Sequence, residues 1–165
     1  MKEPYTFATW AKRNGFDAVG EGRGVKCIAA LLLATPLCAA AFTDADRRCL
    51  VQTVYHEAHA NADMAARLAI VQVVVARRQQ GYAPSICRVV HAPRQFSWAR
   101  RPVRMHGVRL EKARDAVTAY EIGARDPSTK RATHFHATYV RPGWARRMKP
   151  LATRGGHHFY KLREN

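Results

Sequence analysis

The chain has 165 residues and carries 28 lysines and arginines against 12 aspartates and glutamates, a formal net charge of +16 at pH 7. This length fits one domain with a modest hydrophobic core. The basic residues are scattered, without zinc-finger spacing or an aromatic-rich ribonucleoprotein motif, so specific recognition of nucleic acid is not expected. The charge indicates another anionic partner, such as an acidic lipid or an acidic wall polymer.

Residues 1–41 predict an N-terminal extension followed by a secretory signal peptide. An apolar run begins at Cys27, directly after Lys26, and the segment ends in Ala39-Ala40-Ala41. The run is too short for a comfortable membrane span and has the composition of a signal sequence. We therefore expect translation to start near Val25, a signal peptide at about 25–41, and an exported protein in the periplasm or at the cell envelope. Residues 42–165 then form the folded domain.

The first predicted helix begins after Thr43, a good N-cap residue that is followed by acidic residues in the first turn. One face of this helix is formed by Leu50, Val54, Glu57, Ala58 and Asn61. Glu57 should therefore point toward the interior or a cleft wall, where burial raises the pKa of a carboxyl group. Such a group suits a general acid, and the equal alternative is a Glu57 neutralised by one of the many arginines.

Two cysteines remain outside the predicted signal segment, Cys49 and Cys87. A single pair in an exported protein favours a disulfide, and the alternative is two separate buried thiols. A disulfide here would tie the Glu57 helix to a later segment and contribute on the order of 4 kcal/mol if unstrained.

Three more helices follow. The second should begin near Asn61 or Asp63 and end at Gly81, and its nearly continuous apolar surface predicts the central buried helix. A short third helix is expected over residues 86–90. The fourth helix is indicated by Leu110, Ala113, Val117 and Tyr120, and it ends at Gly123.

Residues 93–99 form a predicted loop that combines amide, hydroxyl and aromatic side chains. Gln95, Ser97 and Trp98 suit the recognition of sugar hydroxyls and the stacking of sugar rings. The alternative is that Phe96 or Trp98 fills the core instead.

The C-terminal third predicts two short strands. Residues 133–139 alternate, with His134, His136 and Thr138 on one face and Phe135, Ala137 and Tyr139 on the other. Residues 157–160 form a plausible second strand. Together with the helices, these strands predict a small α+β domain that is mainly helical, with a short antiparallel β-hairpin near the C-terminus.

The histidines do not match a metal-binding motif. His56 and His59 lie three positions apart, whereas the helical zinc-protease signature needs its two histidines four positions apart. We therefore expect no metal and no other cofactor. What remains is one buried carboxylate, Glu57, beside neutral histidines. Glycoside cleavage usually needs two carboxylates, but one suffices where the muramic acid 6-hydroxyl of the substrate acts as the nucleophile.

Several segments resemble the SleB-type cell wall hydrolases, which include the spore-cortex-lytic enzymes. The segments are Cys49-Leu50, Tyr55-His56-Glu57-Ala58, Arg94-Gln95-Phe96-Ser97-Trp98, Ala132-Thr133-His134-Phe135-His136-Ala137-Thr138-Tyr139-Val140 and Gly155-Gly156-His157-His158-Phe159-Tyr160. The resemblance covers about residues 46–161. It departs after Glu57, where His59-Ala60-Asn61 replaces the family's usual Arg-Gly-Glu.

The resemblance implies a lysozyme-like catalytic domain over residues 42–165 that cuts peptidoglycan glycan strands, with Glu57 as acid and base. Together with the loop and strand residues, it predicts a glycan groove lined by Gln95, Ser97, Trp98, His134, His136, Tyr139 and Trp144. We expect a monomer that acts as a lytic transglycosylase and is held to the anionic envelope by its basic surface. The alternatives are a zinc-dependent N-acetylmuramoyl-L-alanine amidase and a non-catalytic envelope-binding module.

Overall fold

The computed structural model describes residues 42–100 and 103–162. The predicted extension, signal peptide and translation start near Val25 lie outside these residues, as do Cys27 and Cys38. The helices and strands in chain order are α1 (Asp44–Glu57), α2 (Met64–Gln79), α3 (Ile86–Val90), α4 (Gly107–Glu121), β1 (His134–Ala137), β2 (Ala152–Arg154) and β3 (His157–Tyr160). This mainly helical α+β architecture, with its small antiparallel sheet near the C-terminus, confirms the predicted fold class.

Helix α1 begins where the sequence predicts and ends earlier than its apolar stripe suggests. The Thr43 hydroxyl accepts a hydrogen bond from the Asp46 N–H at 3.1 Å, which caps the N-terminus. The buried members of the stripe are Leu50, Val54 and Ala58. The helix stops at Glu57, so the expectation that Asn61 continues the stripe is wrong, and Asn61 is exposed in the following loop.

Helix α2 is the central helix of the domain, as its apolar surface predicts. The Asp63 carboxylate caps its N-terminus by accepting a hydrogen bond from the Ala66 N–H at 2.8 Å. The helix packs against the three other helices and also contacts β2. Beyond its C-terminus, Gly81 has φ +81°, a left-handed conformation that suits glycine. None of the helices in the described residues is long and apolar enough to cross a membrane.

A disulfide joins α1 to α3, as the sequence predicts. Cys49 and Cys87 are bonded, with their Cα atoms 5.4 Å apart. Helix α3 is itself capped by Ser85, whose hydroxyl accepts a hydrogen bond from the Arg88 N–H at 3.3 Å. The covalent link therefore fixes the helix that ends at Glu57 to a second short, capped element.

The sheet has three strands in the order β1-β3-β2, and both pairings are antiparallel. Strand β2 was not predicted, because it is only three residues long and shows no clear alternation. Strand β1 ends at Ala137, earlier than predicted, since the Val140 N–H donates to the Ala137 carbonyl at 2.9 Å and closes a turn. Thr138 and Tyr139 therefore lie beyond the strand. The alternation within β1 is confirmed, because Phe135 packs toward Phe159 while His136 faces Trp144.

Candidate active site

Glu57 is the last residue of α1 and is half-buried. Its Oε1 accepts a hydrogen bond from the indole N–H of Trp98 at 2.6 Å. Burial raises the pKa of Glu57 above its ordinary value, while the Trp98 hydrogen bond and the charge of Arg77 act in the opposite direction. The negative end of the helix dipole also disfavours a carboxylate at this position. The arrangement produces a carboxyl group that holds a proton more tightly than an exposed glutamate.

Trp98 belongs to a short 3-10 helix, Ser97–Arg100, and both its ring and its N–H have partners. The ring stacks on His56, with centroids 4.5 Å apart and an interplanar angle of 15°. It also lies 5.5 Å from the ring of the buried Phe96. Phe96 therefore fills the core, which was the alternative considered for this loop. Trp98 is half-buried and positions the Glu57 carboxyl.

His56 supports the same corner of the site. Its Nε2 atom is buried and has no hydrogen-bond partner among the described residues. Burial and the nearby charge of Arg109 lower the pKa of His56, which favours the neutral ring. Arg109 donates to the carbonyls of His56 at 3.2 Å and Ala58 at 3.1 Å. The guanidinium thus satisfies carbonyl groups at the end of α1, beside Glu57.

Arg77 is a residue of the site that the sequence analysis missed. It is only 6% exposed, near the C-terminus of α2. Its Nε donates to the Thr133 carbonyl at 2.6 Å and its Nη1 donates to Gln95 Oε1 at 2.8 Å. Its charge also lowers the pKa of Glu57 and of His134. The signal in the sequence was the position of Arg77 on the otherwise apolar surface of the central helix. An arginine that is buried there needs several hydrogen-bond acceptors, so it is expected to lie beside polar groups.

His134 lies on β1 and is neutral at physiological pH. Burial, assisted by the charge of Arg77, lowers its pKa to about 4. Its Nδ1 lies 3.0 Å from the Thr133 hydroxyl. That hydroxyl accepts from the Leu162 N–H at 3.2 Å, which leaves its own hydrogen available for Nδ1.

His136 and Trp144 form an aromatic cluster with Tyr160. His136 Nδ1 lies 2.9 Å from the Ala137 carbonyl, which only accepts, so Nδ1 carries the proton. The Tyr160 hydroxyl lies 3.1 Å from His136 Nε2. Both ring nitrogens of His136 are therefore used within the protein. Trp144, whose ring is 5.6 Å from that of His136 and 5.7 Å from that of His134, is 41% exposed and presents the open aromatic surface.

The remaining predicted groove residues are less closely tied to Glu57. Ser97 is exposed at the start of the 3-10 helix, and no hydrogen bond within the described residues uses its hydroxyl. Tyr139 is 84% exposed in the turn after β1. The structure thus links Trp98 to Glu57 by a direct hydrogen bond and Gln95 to Arg77 by another. It leaves Ser97 and Tyr139 at the surface.

The loop between α1 and α2 supplies no second free carboxylate. The buried Arg67 holds this loop by donating to the carbonyls of Ala60, Ala62 and Asp63. The Asp63 carboxylate is occupied as the cap of α2. The positive charge of Arg77 lowers the pKa of the Glu57 carboxyl. Residues 42–100 and 103–162 contain no group of three or more His, Cys, Asp or Glu side chains arranged to hold a metal ion.

The fold is similar to that of a solved catalytic domain. It matches the crystal structure of the catalytic domain of the Bacillus cereus SleB protein with a TM-score of 0.60. The two chains are 19% identical, and the match covers 73% of this chain and 92% of the other. No curated protein matches this chain at a significant level.

The sequence itself matches the family model described as Cell Wall Hydrolase over residues 61–160. The matched residues begin four positions after Glu57, so the match does not include this residue. The role of Glu57 is therefore argued from its geometry, whereas membership of the family is argued from the sequence match. The family model covers well over half of the chain and the fold agrees with it. The chain therefore belongs to the cell wall hydrolase family of peptidoglycan-degrading enzymes, and its fold is similar to that of the SleB catalytic domain.

Proposed function

We propose that this chain is a lytic transglycosylase that cleaves the glycosidic bond between N-acetylmuramic acid and N-acetylglucosamine in peptidoglycan, with Glu57 as the catalytic residue. The observation that carries the proposal is a half-buried carboxyl group with a raised pKa that is held by Trp98, while Asp63, the next carboxylate along the chain, is engaged as the cap of α2.

The single carboxyl group serves two steps. Protonated Glu57 donates its proton to the glycosidic oxygen as the bond to the anomeric carbon breaks. The 6-hydroxyl of the same muramic acid then attacks the anomeric carbon and gives its proton to the Glu57 carboxylate. The products are a free 4-hydroxyl on N-acetylglucosamine and a 1,6-anhydromuramic end, and Glu57 is protonated again. No water is consumed, so no second base is required.

The groove residues support binding in different ways. Gln95 accepts a hydrogen bond from Arg77, and the charge of Arg77 also acts on His134, so both residues present polar groups beside this buried arginine. Trp144 presents an exposed aromatic face of the kind on which sugar rings stack. We include His136, Trp98, Ser97 and Tyr139 in the groove, the first two as residues that shape it and the last two as exposed contacts.

The protein is also proposed to be exported, with residues at about 25–41 as its signal peptide, and to act as a monomer at the envelope. Residues 42–165 hold 23 lysines and arginines against 9 aspartates and glutamates, a net charge of +14 that supports an attraction to anionic envelope polymers, which salt would screen. N-terminal sequencing of the secreted protein tests the export proposal, and a mature chain beginning before residue 38 would contradict it.

The decisive experiment combines Glu57→Gln with product analysis on purified sacculi. The variant keeps the shape of Glu57 and loses its titrating proton, so we expect binding to survive and cleavage to fall by orders of magnitude. The wild-type products should carry 1,6-anhydromuramic ends, which mass spectrometry separates from reducing ends because they are lighter by one water.

Three outcomes would contradict the proposal. Reducing muramic ends as the main product would mean that water is the nucleophile. Release of stem peptides from intact glycan, lost on chelation and restored by zinc, would indicate the amidase. Binding to sacculi without clearing would indicate an envelope-binding module.

A further inference from the structure

Arg77 determines which way the Gln95 amide faces. A guanidinium has only donors, so the atom of Gln95 that lies 2.8 Å from Arg77 Nη1 must be the oxygen, Oε1. The NH₂ group of Gln95 is therefore directed away from Arg77. Gln95 is exposed, and no hydrogen bond within the described residues uses its Nε2. The side chain consequently presents two donors to solvent, and its acceptor is occupied.

The anchor for this orientation is fixed in place. Arg77 is buried, and its Nε also donates to the Thr133 carbonyl at 2.6 Å, just before β1. Hydrogen bonds from a charged donor are stronger than neutral ones, so the Gln95 oxygen does not exchange freely with its nitrogen. The preceding residue, Arg94, has φ +64°, a left-handed conformation that is costly for a residue other than glycine. Strained backbone of this kind is found at binding and catalytic sites.

We propose that Gln95, oriented by Arg77, is a carbonyl-recognition residue that donates its amide hydrogens to the acetamido oxygen of an N-acetylated sugar near Glu57. A carbonyl oxygen is the strongest neutral acceptor that such a glycan offers, and it accepts hydrogen bonds without donating one. Trp98, three residues further along the same loop, donates to the Glu57 carboxyl at 2.6 Å, which places Gln95 on the catalytic side of the domain. This inference rests on the proposed function and adds a preference for N-acetylated over unacetylated glycan.

Gln95→Glu separates recognition from structure. The new carboxylate still accepts the hydrogen bond from Arg77, so the loop should stay in place, and the two outward donors are lost. Gln95→Met, of similar length, removes both the acceptor and the donors without adding a charge. Both variants are made in the Glu57→Gln protein, which removes cleavage from the measurement. Thermal unfolding of each variant checks that it is folded.

The probes are an oligomer of β-1,4-linked N-acetylglucosamine and the matched glucose oligomer, each competing with purified sacculi for the protein. With the Glu57→Gln protein, we expect the acetylated oligomer to compete at a concentration roughly 3- to 10-fold lower than the glucose oligomer does. The glucose oligomer has no acetamido oxygen, so it lacks one or two neutral hydrogen bonds. That advantage should disappear in both Gln95 variants.

Equal competition by the two oligomers in the Glu57→Gln protein would overturn the inference. So would an advantage that survives in Gln95→Glu, because the side chain would then act only by holding Arg77. Either result leaves the role of Glu57 intact. Retained cleavage by Glu57→Gln contradicts the proposed function instead, so the two failures are distinguishable.

Discussion

The indole N–H of Trp98 donates to Glu57 Oε1 at 2.6 Å, across a sequence separation of 41 residues. The bond joins the end of α1 to the 3-10 helix and stabilises the charged form of Glu57, in opposition to burial. The balance between these two effects sets the pH at which Glu57 changes from acid to base.

Trp98→Phe should move that balance. The phenyl ring keeps most of the stacking on His56 and lacks the N–H donor, so the pKa of Glu57 should rise further. We expect the high-pH limb of the activity profile to shift to higher pH, with a lower maximal rate because the carboxyl is held less firmly. Rates of cleavage of sacculi, measured from roughly pH 4 to roughly pH 9, test this prediction. Trp144→Phe is the matched control, and an equal shift in that variant would contradict the assignment.

Glu57→Gln should make the protein more stable at neutral pH. Burial raises the pKa of Glu57 above its ordinary value of 4.5, so the folded state binds this proton more tightly than the unfolded state. The free energy of unfolding therefore decreases as pH rises through this window, and the ionised Glu57 is a cost above it. The amide has no such cost. At pH 7 the free energy of unfolding measured with urea should be higher for the variant than for wild type. This difference should become smaller below pH 4.5. A variant less stable than wild type at pH 7 would contradict the burial argument.

His134 should make the fold sensitive to mild acid. Its pKa is about 4 in the folded protein, below its ordinary value of 6.5. Between these values the unfolded state binds more protons, so the free energy of unfolding decreases as pH falls from 6.5 to about 4. His134→Gln should flatten this part of the stability curve. NMR titration of the imidazole measures the pKa directly, and a midpoint near 6.5 in the folded protein would show that the prediction is wrong.

Reduction of the disulfide should destabilise the domain substantially. Cys49 and Cys87 are 38 residues apart, and opening a loop of this length releases chain entropy in the unfolded state worth on the order of 4 kcal/mol. Cys49→Ser/Cys87→Ser should therefore lower the midpoint of urea unfolding by a large fraction of its value. The reductant dithiothreitol should do the same to wild type and nothing to the double variant. Equal midpoints for reduced and oxidised wild type would contradict the prediction.

Local signals in the sequence determined most of the secondary structure. The caps Thr43, Asp63 and Ser85 each precede a helix, because short polar side chains satisfy the first free N–H groups. The apolar surface of α2 predicted the central helix, since burial of such a surface is the main favourable term in folding. The one cysteine pair predicted the disulfide. Each inference uses residues close in sequence or a chemistry with few alternatives.

The arrangement around Glu57 was decided only by the tertiary structure. Trp98 reaches Glu57 across 41 residues, and Arg77 reaches Thr133 across 56 and Gln95 across 18. Periodicity reports which face of an element is buried, and it carries no information about which distant group will lie there. The polar partner of a buried charge depends on how α2, β1 and the 3-10 helix pack together. For this reason the sequence indicated a buried Glu57, whereas the donor that holds it and the arginine beside it emerged only from packing.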